Sequence, residues 1–327
     1  MVERIEKVAL IGLGAIGAFF ADRFVDMLGD DLRIVAGGER AERLKKDGMI
    51  INGIRKDFHV VSPQEQDGPA DLVIVATKMT GFRQAMEDVK NQMGPETILM
   101  TPLNGVESES VAGEYYGKEN LLYSLMRVSS VKKGNTVTFD PSTSFVEFGD
   151  EVNIPERLSR RVLLVKEAFD RAGITCKIRP DMQKAIWEKF VCNVSENQVA
   201  AVLDIPFGAW GSCEAADRLR VMVASEVIKI AQKKGIAIDD DYAEKHLEYL
   251  KRLPVTNKPS TLQDILAGRR TEKDMFGGTV VRMGKEMGIP TPYNEFLYYA
   301  LTVLEEKNEG KVVGLGTGEH SSGYGSI

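Results

Sequence analysis

Side chains that many metal and thiol enzymes depend on are scarce in this chain. Its 327 residues include three histidines (His59, His246, His320) and three cysteines (Cys176, Cys192, Cys213). The histidines sit in no motif. The cysteines are widely spaced and odd in number, so neither a disulfide framework nor a zinc knuckle is suggested. No His/Cys/carboxylate set has local ligand spacing, and no metal is expected. No apolar run approaches the ~20 residues that span a bilayer. The opening MVERIEKVALIG puts charges straight before a short strand, unlike a signal peptide. Neither sign of charge dominates: 42 Lys and Arg stand against 48 Asp and Glu, a net charge of -6. That balance argues against a nucleic-acid partner. Together these absences lead to the expectation of a cytoplasmic protein with neither membrane nor nucleic acid as partner.

What is present is ordinary globular composition, 43% hydrophobic and 28% charged, at a length that suits two domains. EKVALI at 6–11 is a short apolar run, followed by GLGAIG and then AFFADRFVDML, apolar at helical spacing. This reads as strand, glycine turn and helix. LRIVAG at 32–37, DLVIVAT at 71–77 and TILMTPLNG at 97–105 read as further strands, with a crossover helix in TGFRQAMEDVKNQM. Continuous apolar runs suit strands buried on both faces, and their alternation with helices implies a doubly wound parallel sheet. Between 120 and 150 the pattern alternates and turns at Lys133-Gly134-Asn135, which predicts antiparallel strands extending that sheet. From about 155 the chain reads as helical. RLSRRVLLVKEAFDRAG stops at Gly173, RLRVMVASEVIKIAQKKG stops at Gly235, and helical patterns run to about 307. The expected class is α/β, a Rossmann-type doubly wound sheet with an antiparallel extension, plus an all-helical C-terminal domain. The expected parts are a dinucleotide-binding domain over 1–178, a helical substrate and dimerisation domain over 179–315, and a flexible tail over 316–327.

The segment Gly12, Leu13, Gly14, Ala15, Ile16, Gly17 satisfies G-x-G-x-x-G between a strand and a helix. The first glycine makes the tight turn and the second lets a pyrophosphate approach the backbone. The third lets helix and strand pack closely, while the helix N-terminus offers N–H groups to the phosphates. A glycine-rich structural turn is the plain alternative. The end of the second strand selects the dinucleotide. Here AGGERAER places Gly37 and Gly38 before Glu39, Arg40 and Arg43. Arg40 and Arg43 suit the 2′-phosphate of NADP, whereas Glu39 suits the ribose of NAD. The two arginines tip the reading towards NADPH.

In WEKFVCNVSENQVAA, residues 187–201, Lys189, Asn193 and Asn197 recur every fourth residue of a largely apolar helix. Four residues advance about 400°, so the three form one stripe ~12 Å long. A solvent-facing stripe is one reading. Against it, the flanking residues are apolar and asparagine is a poor helix former. A nicotinamide enzyme that reduces a ketone needs a proton donor beside the carbonyl oxygen. No histidine is placed for that, but an ammonium can polarise the carbonyl and deliver the proton, with desolvation lowering its pKa.

These motifs together resemble the ketopantoate reductase family (2-dehydropantoate 2-reductase, PanE/ApbA type) over nearly the whole chain. The resemblance rests on GLGAIG, on Lys78 ending VIVATK, on Asn104 in TPLNG, on the W-x-K-x3-N-x3-N helix, and on STLQDILAGRRTE with Ser260 and Glu272. It implies an active site between a Rossmann domain and a helical domain, with NADPH-dependent reduction of 2-dehydropantoate to pantoate on the way to coenzyme A. It further implies that Lys189 donates the proton, with Glu272 as second catalytic residue on the nicotinamide side. Asn193, Asn197 and Ser260 would hold the substrate, Asn104 would lie near substrate and ribose, and Lys78 would lie along the cofactor. A homodimer is expected. Taken singly, Ser260 is equally a helix N-cap and Asn104-Gly105 a turn. Glu272 is equally a surface partner of Arg269 or Arg270. The chain departs from the family pattern at Gly37 (often arginine), Gln198 (often proline) and Phe207. Those departures leave open reduction of another branched 2-oxo acid; a catalytically silent dinucleotide-binding module is a further alternative, against which the presence of both Lys189 and Glu272 argues.

Overall fold

A computed structural model describes residues 3–128 and 130–313; the expected tail over 316–327 lies outside them. The chain divides into two compact units, Met1–Glu188 and Lys189–Ile327. The division falls inside a helix, ten residues beyond the boundary expected from sequence.

Among its described residues the first unit holds twelve strands: β1 (Val8–Ile11), β2 (Leu32–Val35), β3 (Met49–Ile51), β4 (Ile54–Lys56), β5 (His59–Val61), β6 (Leu72–Val75), β7 (Ile98–Met100), β8 (Leu121–Arg127), β9 (Ser130–Lys133), β10 (Thr136–Phe139), β11 (Phe145–Gly149) and β12 (Cys176–Ile178). Eight form one sheet in the order β12-β11-β8-β7-β6-β1-β2-β5. From β5 to β8 every pairing is parallel; β11 joins antiparallel to β8. The apolar runs are buried on both faces. Val8, Leu10, Leu72 and Ile74 join a core with Phe19, Phe20, Phe24, Phe148 and Phe169. Their strand neighbours Ala9, Ile11, Val73 and Val75 join the opposite core with Phe82, Met86 and Leu121. The helices of this unit are α1 (Ala15–Leu28), α2 (Gly38–Asp47), α3 (Phe82–Asp88), α4 (Ser108–Tyr116), α5 (Arg160–Arg171) and the start of α6 (Met182–Cys192).

The antiparallel expectation for 120–150 holds in part. β11 does extend the main sheet, and β9 and β10 form a hairpin at Gly134, whose φ is +59°. That hairpin leaves the main sheet, however. β10 pairs parallel to β3, building a second sheet in the order β4-β3-β10-β9.

The second unit is helical, as expected after about 155. It contains α7 (Gln198–Leu203), α8 (Glu214–Lys233), α9 (Tyr242–Leu250), α10 (Ser260–Leu266), α11 (Thr279–Met287) and α12 (Pro292–Asn308). Ala201 of α7, Leu262 of α10 and Leu301 of α12 meet in one buried cluster. Two π turns interrupt the helices, Asn193–Asn197 between α6 and α7, and Asp274–Gly278 before α11.

Candidate functional site

In the first unit the glycine loop follows β1 directly. Gly12 has φ +98°, and a Cβ there would lie 2.6 Å from the Ala76 carbonyl and 2.7 Å from the Thr77 nitrogen. A Cβ on Gly17 would lie 1.8 Å from the Gly12 carbonyl oxygen. Only glycine permits this approach of loop, helix and β6. Gly14 has no such crowding, its nearest neighbour being the Ala76 oxygen at 3.9 Å. It caps α1 without a side-chain hydrogen bond, and the first turn of α1 carries no acid. The helix therefore presents its N–H groups and positive dipole end unopposed, a fit for a pyrophosphate. Beside the loop, the Thr77 hydroxyl is buried and bonds to none of the described residues. A buried hydroxyl in that position needs a partner, a water or a ligand atom.

Because β2, β1, β6 and β7 run parallel, their following loops share one edge of the sheet. Gly37 to Arg40, the glycine loop, exposed Lys78 and half-buried Asn104 all fall at that edge. The chain crosses between β1 and β6 there, the switch point where open α/β sheets bind ligands. Gly105 has φ +94°, so the Asn104-Gly105 turn is real as well as placed at this edge.

A third cation joins the two arginines flagged by sequence. Lys132 of β9 donates its Nζ to the Leu13 carbonyl at 2.7 Å. Desolvation, then the charges of Arg40 and Arg43, hold its ammonium below the usual lysine value. Desolvation, then Arg43, likewise lowers Arg40. Three like charges crowd beside the glycine loop, a disposition that an anion relieves.

The helix α6 begins in the first unit and is firmly anchored there. The Asp181 carboxylate accepts the Lys184 N–H at 2.8 Å, capping the helix as its sequence suggests. Met182, Ala185 and Ile186 pack against Tyr123 and Leu125 of β8. Arg179 bridges buried Glu147 of β11 at 2.9 Å and Glu188 of α6 at 3.2 Å. The next residue is Lys189.

In the second unit the polar file is not one regular α-helix. After Cys192 the chain widens into the π turn, whose i→i+5 bonding adds a residue to the turn. Val194, Ser195, Glu196 and Asn197 are buried in succession. Lys189 is 9% exposed, Asn197 is 8% exposed and Asn193 is half-buried. The solvent-facing reading of the stripe is thereby set aside for Lys189 and Asn197. Asn197 Nδ2 donates to the Ser260 hydroxyl at 3.4 Å, so two residues 63 apart in sequence meet. Ser260 is the first residue of α10, with Pro259 at the N-cap position. Half-buried Glu272 accepts the N–H groups of Met275 and Phe276 on its carbonyl, opening the second π turn. The two π turns pack together. Phe190 of α6 meets Phe276, with ring centroids 6.5 Å apart.

Gln198, one of the departures from the family pattern, has a structural role. Its amide donates to the Val194 carbonyl at 2.9 Å and to Asn294 of α12 at 3.3 Å. It thus fastens the first π turn to α12. A Cβ on Gly277 would lie 2.4 Å from its Oε1, so glycine in the second π turn makes room for it.

Sequence reasoning missed Lys132, Thr77 and both π turns. It also missed that Cys192, Glu196 and His246 come together. Residues 13 and 132 lie too far apart for local spacing to link them, and π turns have no compositional signature. Thr77, one residue before the flagged Lys78, was within reach of motif reasoning.

Comparison with known proteins bears on both units. The family model described as ketopantoate reductase PanE/ApbA matches residues 8–151, and the one for its C-terminal part matches 181–305. A 2-dehydropantoate 2-reductase of Pyrococcus horikoshii is 26% identical over 311 residues, 93% of this chain and 99% of that protein. The uncharacterized oxidoreductase YkpB of Bacillus subtilis is 26% identical over 305 residues, 91% of this chain and 99% of that protein. Among solved structures, D-mandelate dehydrogenase with NADH and anilino(oxo)acetate has a TM-score of 0.80 at 22% identity, covering 93% of this chain and 99% of that one. The 2-dehydropantoate 2-reductase of Geobacter metallireducens has a TM-score of 0.77 at 24% identity, covering 91% and 99%.

Proposed function

The chain belongs to the ketopantoate reductase PanE/ApbA family of oxidoreductases, and from that premise we propose that it is an NADPH-dependent 2-dehydropantoate 2-reductase. Its product would be pantoate, on the route to coenzyme A. The observation that carries the reading is a buried ammonium, Lys189, on the same helical run as an amide, Asn197, bonded to Ser260. Such a set suits a 2-oxo acid, with an acid for the ketone oxygen and neutral donors for the remaining oxygens.

Bound, the nicotinamide supplies a hydride to the ketone carbon. Lys189 polarises the ketone oxygen and gives it a proton, then recovers one from solvent. Asn193, Asn197 and Ser260 orient the substrate. Glu272 lies on the nicotinamide side and orients Lys189. Gly12, Leu13, Gly14, Ala15, Ile16 and Gly17 hold the pyrophosphate, while Lys78 and Asn104 lie along the cofactor. Arg40, Arg43 and Lys132 support NADPH over NADH, because their crowded charges suit a 2′-phosphate.

A second reading is reduction of a different 2-oxo acid. It draws on the fold shared with D-mandelate dehydrogenase, whose solved complex holds NADH, and on Phe207 as a departure from the family pattern. A cytoplasmic homodimer completes the proposal. Tyr293, Phe296, Tyr299 and Val303 lie along one face of α12 and are all at least 41% exposed, a surface suited to a second copy. One set of assays tests the reading. Nicotinamide oxidation is followed with ketopantoate, 2-oxoisovalerate and phenylglyoxylate, each with NADPH and NADH. Highest kcat/KM for ketopantoate with NADPH supports it. A clear preference for another acid establishes the second reading, and absence of turnover with all of them refutes both.

A further inference from the structure

Behind the polar file lies a cluster that the proposed reduction does not use. Cys192 closes α6 and Glu196 sits four residues on, inside the π turn. Facing them from α9 are Tyr242 and His246, again four residues apart. Two side-chain pairs on two elements thus converge. Glu196 Oε1 stands 3.4 Å from His246 Nε2, and Cys192 Sγ stands 3.8 Å from the Tyr242 hydroxyl. One ligand atom each from Cys192, Glu196 and His246 lies within 4.8 Å of the other two. Cys192 and Glu196 are 7% and 6% exposed, and the His246 side chain 14%. The imidazole is also oriented: it stacks on Tyr242 at 5.8 Å with 19° between planes, and meets Tyr249 at 5.1 Å.

We propose that Cys192, Glu196 and His246 form a binding site for a soft divalent cation of the zinc class. The ligand chemistry selects that class. One thiolate, one imidazole and one carboxylate suit Zn²⁺ or Co²⁺, whereas Mg²⁺ and Ca²⁺ take oxygen ligands. The distances suit it too. Zinc bonds of about 2.0–2.3 Å at tetrahedral angles put neighbouring ligand atoms about 3.3–3.6 Å apart. The glutamate–histidine separation already has that value. The other pairs need to close by no more than about 1.3 Å, within reach of side-chain rotation. Three protein ligands leave a fourth position for water, with the Tyr242 hydroxyl beside the sulfur. On binding, the Cys192 thiol gives up its proton to solvent and no electrons move. Glu196 lies between Asn193 and Asn197 in sequence, so the ion braces the turn that carries both amides.

The test reads metal binding and is independent of the substrate assignment. Full-length protein stripped with a chelator is titrated with Co²⁺, and Zn²⁺ is then added in competition. The expected result is one Co²⁺ per chain with a thiolate-to-cobalt charge-transfer band, lost when Zn²⁺ displaces it. Cys192→Ser abolishes the band, and His246→Gln weakens Zn²⁺ binding by about tenfold or more. Cys213→Ser, which removes the exposed thiol, leaves both unchanged. Zn²⁺ raises the thermal midpoint of the wild type and not that of His246→Gln, with circular dichroism confirming that the variants fold. A wild type without the band overturns the proposal. So does a band that survives Cys192→Ser or disappears in Cys213→Ser.

Discussion

The cation trio beside the glycine loop makes the proposed nucleotide choice quantitative. Replacing Arg40 by Ser removes one positive charge without entering the core, since the residue is exposed. A unit charge pair ~4 Å apart is worth about 1 kcal/mol in water and about 4 kcal/mol at the effective dielectric of a protein surface. Arg40 is exposed by surface area although its charge is partly desolvated, and solvent at the guanidinium places the pair near the lower value. A 2′-phosphate with nearly two charges doubles that, giving about 2 kcal/mol, or roughly 30-fold in affinity. NADH has no 2′-phosphate, so its affinity should change by less than about threefold. Titration of nicotinamide fluorescence measures both dissociation constants on the same protein. The NADPH preference of the wild type should also shrink as salt rises, because exposed charges are screened beyond about 8 Å at physiological ionic strength. An Arg40→Ser variant that weakens NADPH and NADH equally would refute the reasoning, since the arginine would then serve the loop and not the phosphate.

Other predictions follow the same physical lines. Gly17→Ala puts a Cβ 1.8 Å from the Gly12 oxygen, so α1 must shift off the loop; dinucleotide affinity should fall by about 100-fold, read by the same titration. Asn197→Ala should raise KM for the 2-oxo acid about tenfold with little change for the nucleotide, as one charge-assisted donor to the substrate is lost. Buried Glu226 accepts the backbone N–H groups of Tyr293 and Asn294, each at 3.0 Å, and the Asn294 side chain at 2.7 Å, on the N-terminus of α12. Glu226→Gln turns one acceptor into a donor and removes the charge that the helix end favours. The second unit should lose about 2–3 kcal/mol, visible as a lowered midpoint in calorimetry.

Much of this architecture is legible in the residues themselves. β1 and β6 are runs of four buried apolar residues, and β2 breaks the run only at buried Arg33, so strand and burial on both faces follow from nearly one pattern. Gly12 and Gly17 announce a close approach that their neighbours then enforce. The helix caps and stops at Asp181, Gly173 and Gly235 are likewise local, and local chemistry reads well. What escapes is pairing over distance. The β9–β10 hairpin is readable, but its choice of β3 is not, because the partner lies more than 80 residues away. Lys132 reaches the glycine loop by the same kind of long return. The break between units falls at Glu188, within a helix whose sequence shows no interruption, so no linker marks it. The π turns are hidden for a different reason. NVSEN carries no breaker, and the two glycines of DMFGG do not distinguish i→i+5 from i→i+4 bonding. The side chains that hold them, Gln198 and the bare Gly277, act only once the two turns have met.

Lys189 bears the central claim, and the most direct measurement is turnover of Lys189→Ala with ketopantoate and NADPH, set beside its NADPH dissociation constant. The account predicts that kcat falls by about 10²–10⁴-fold while NADPH binding stays within about threefold of the wild type. A variant that binds NADPH normally and still turns over at a near-normal rate would contradict it, because the buried ammonium would then not be the proton donor.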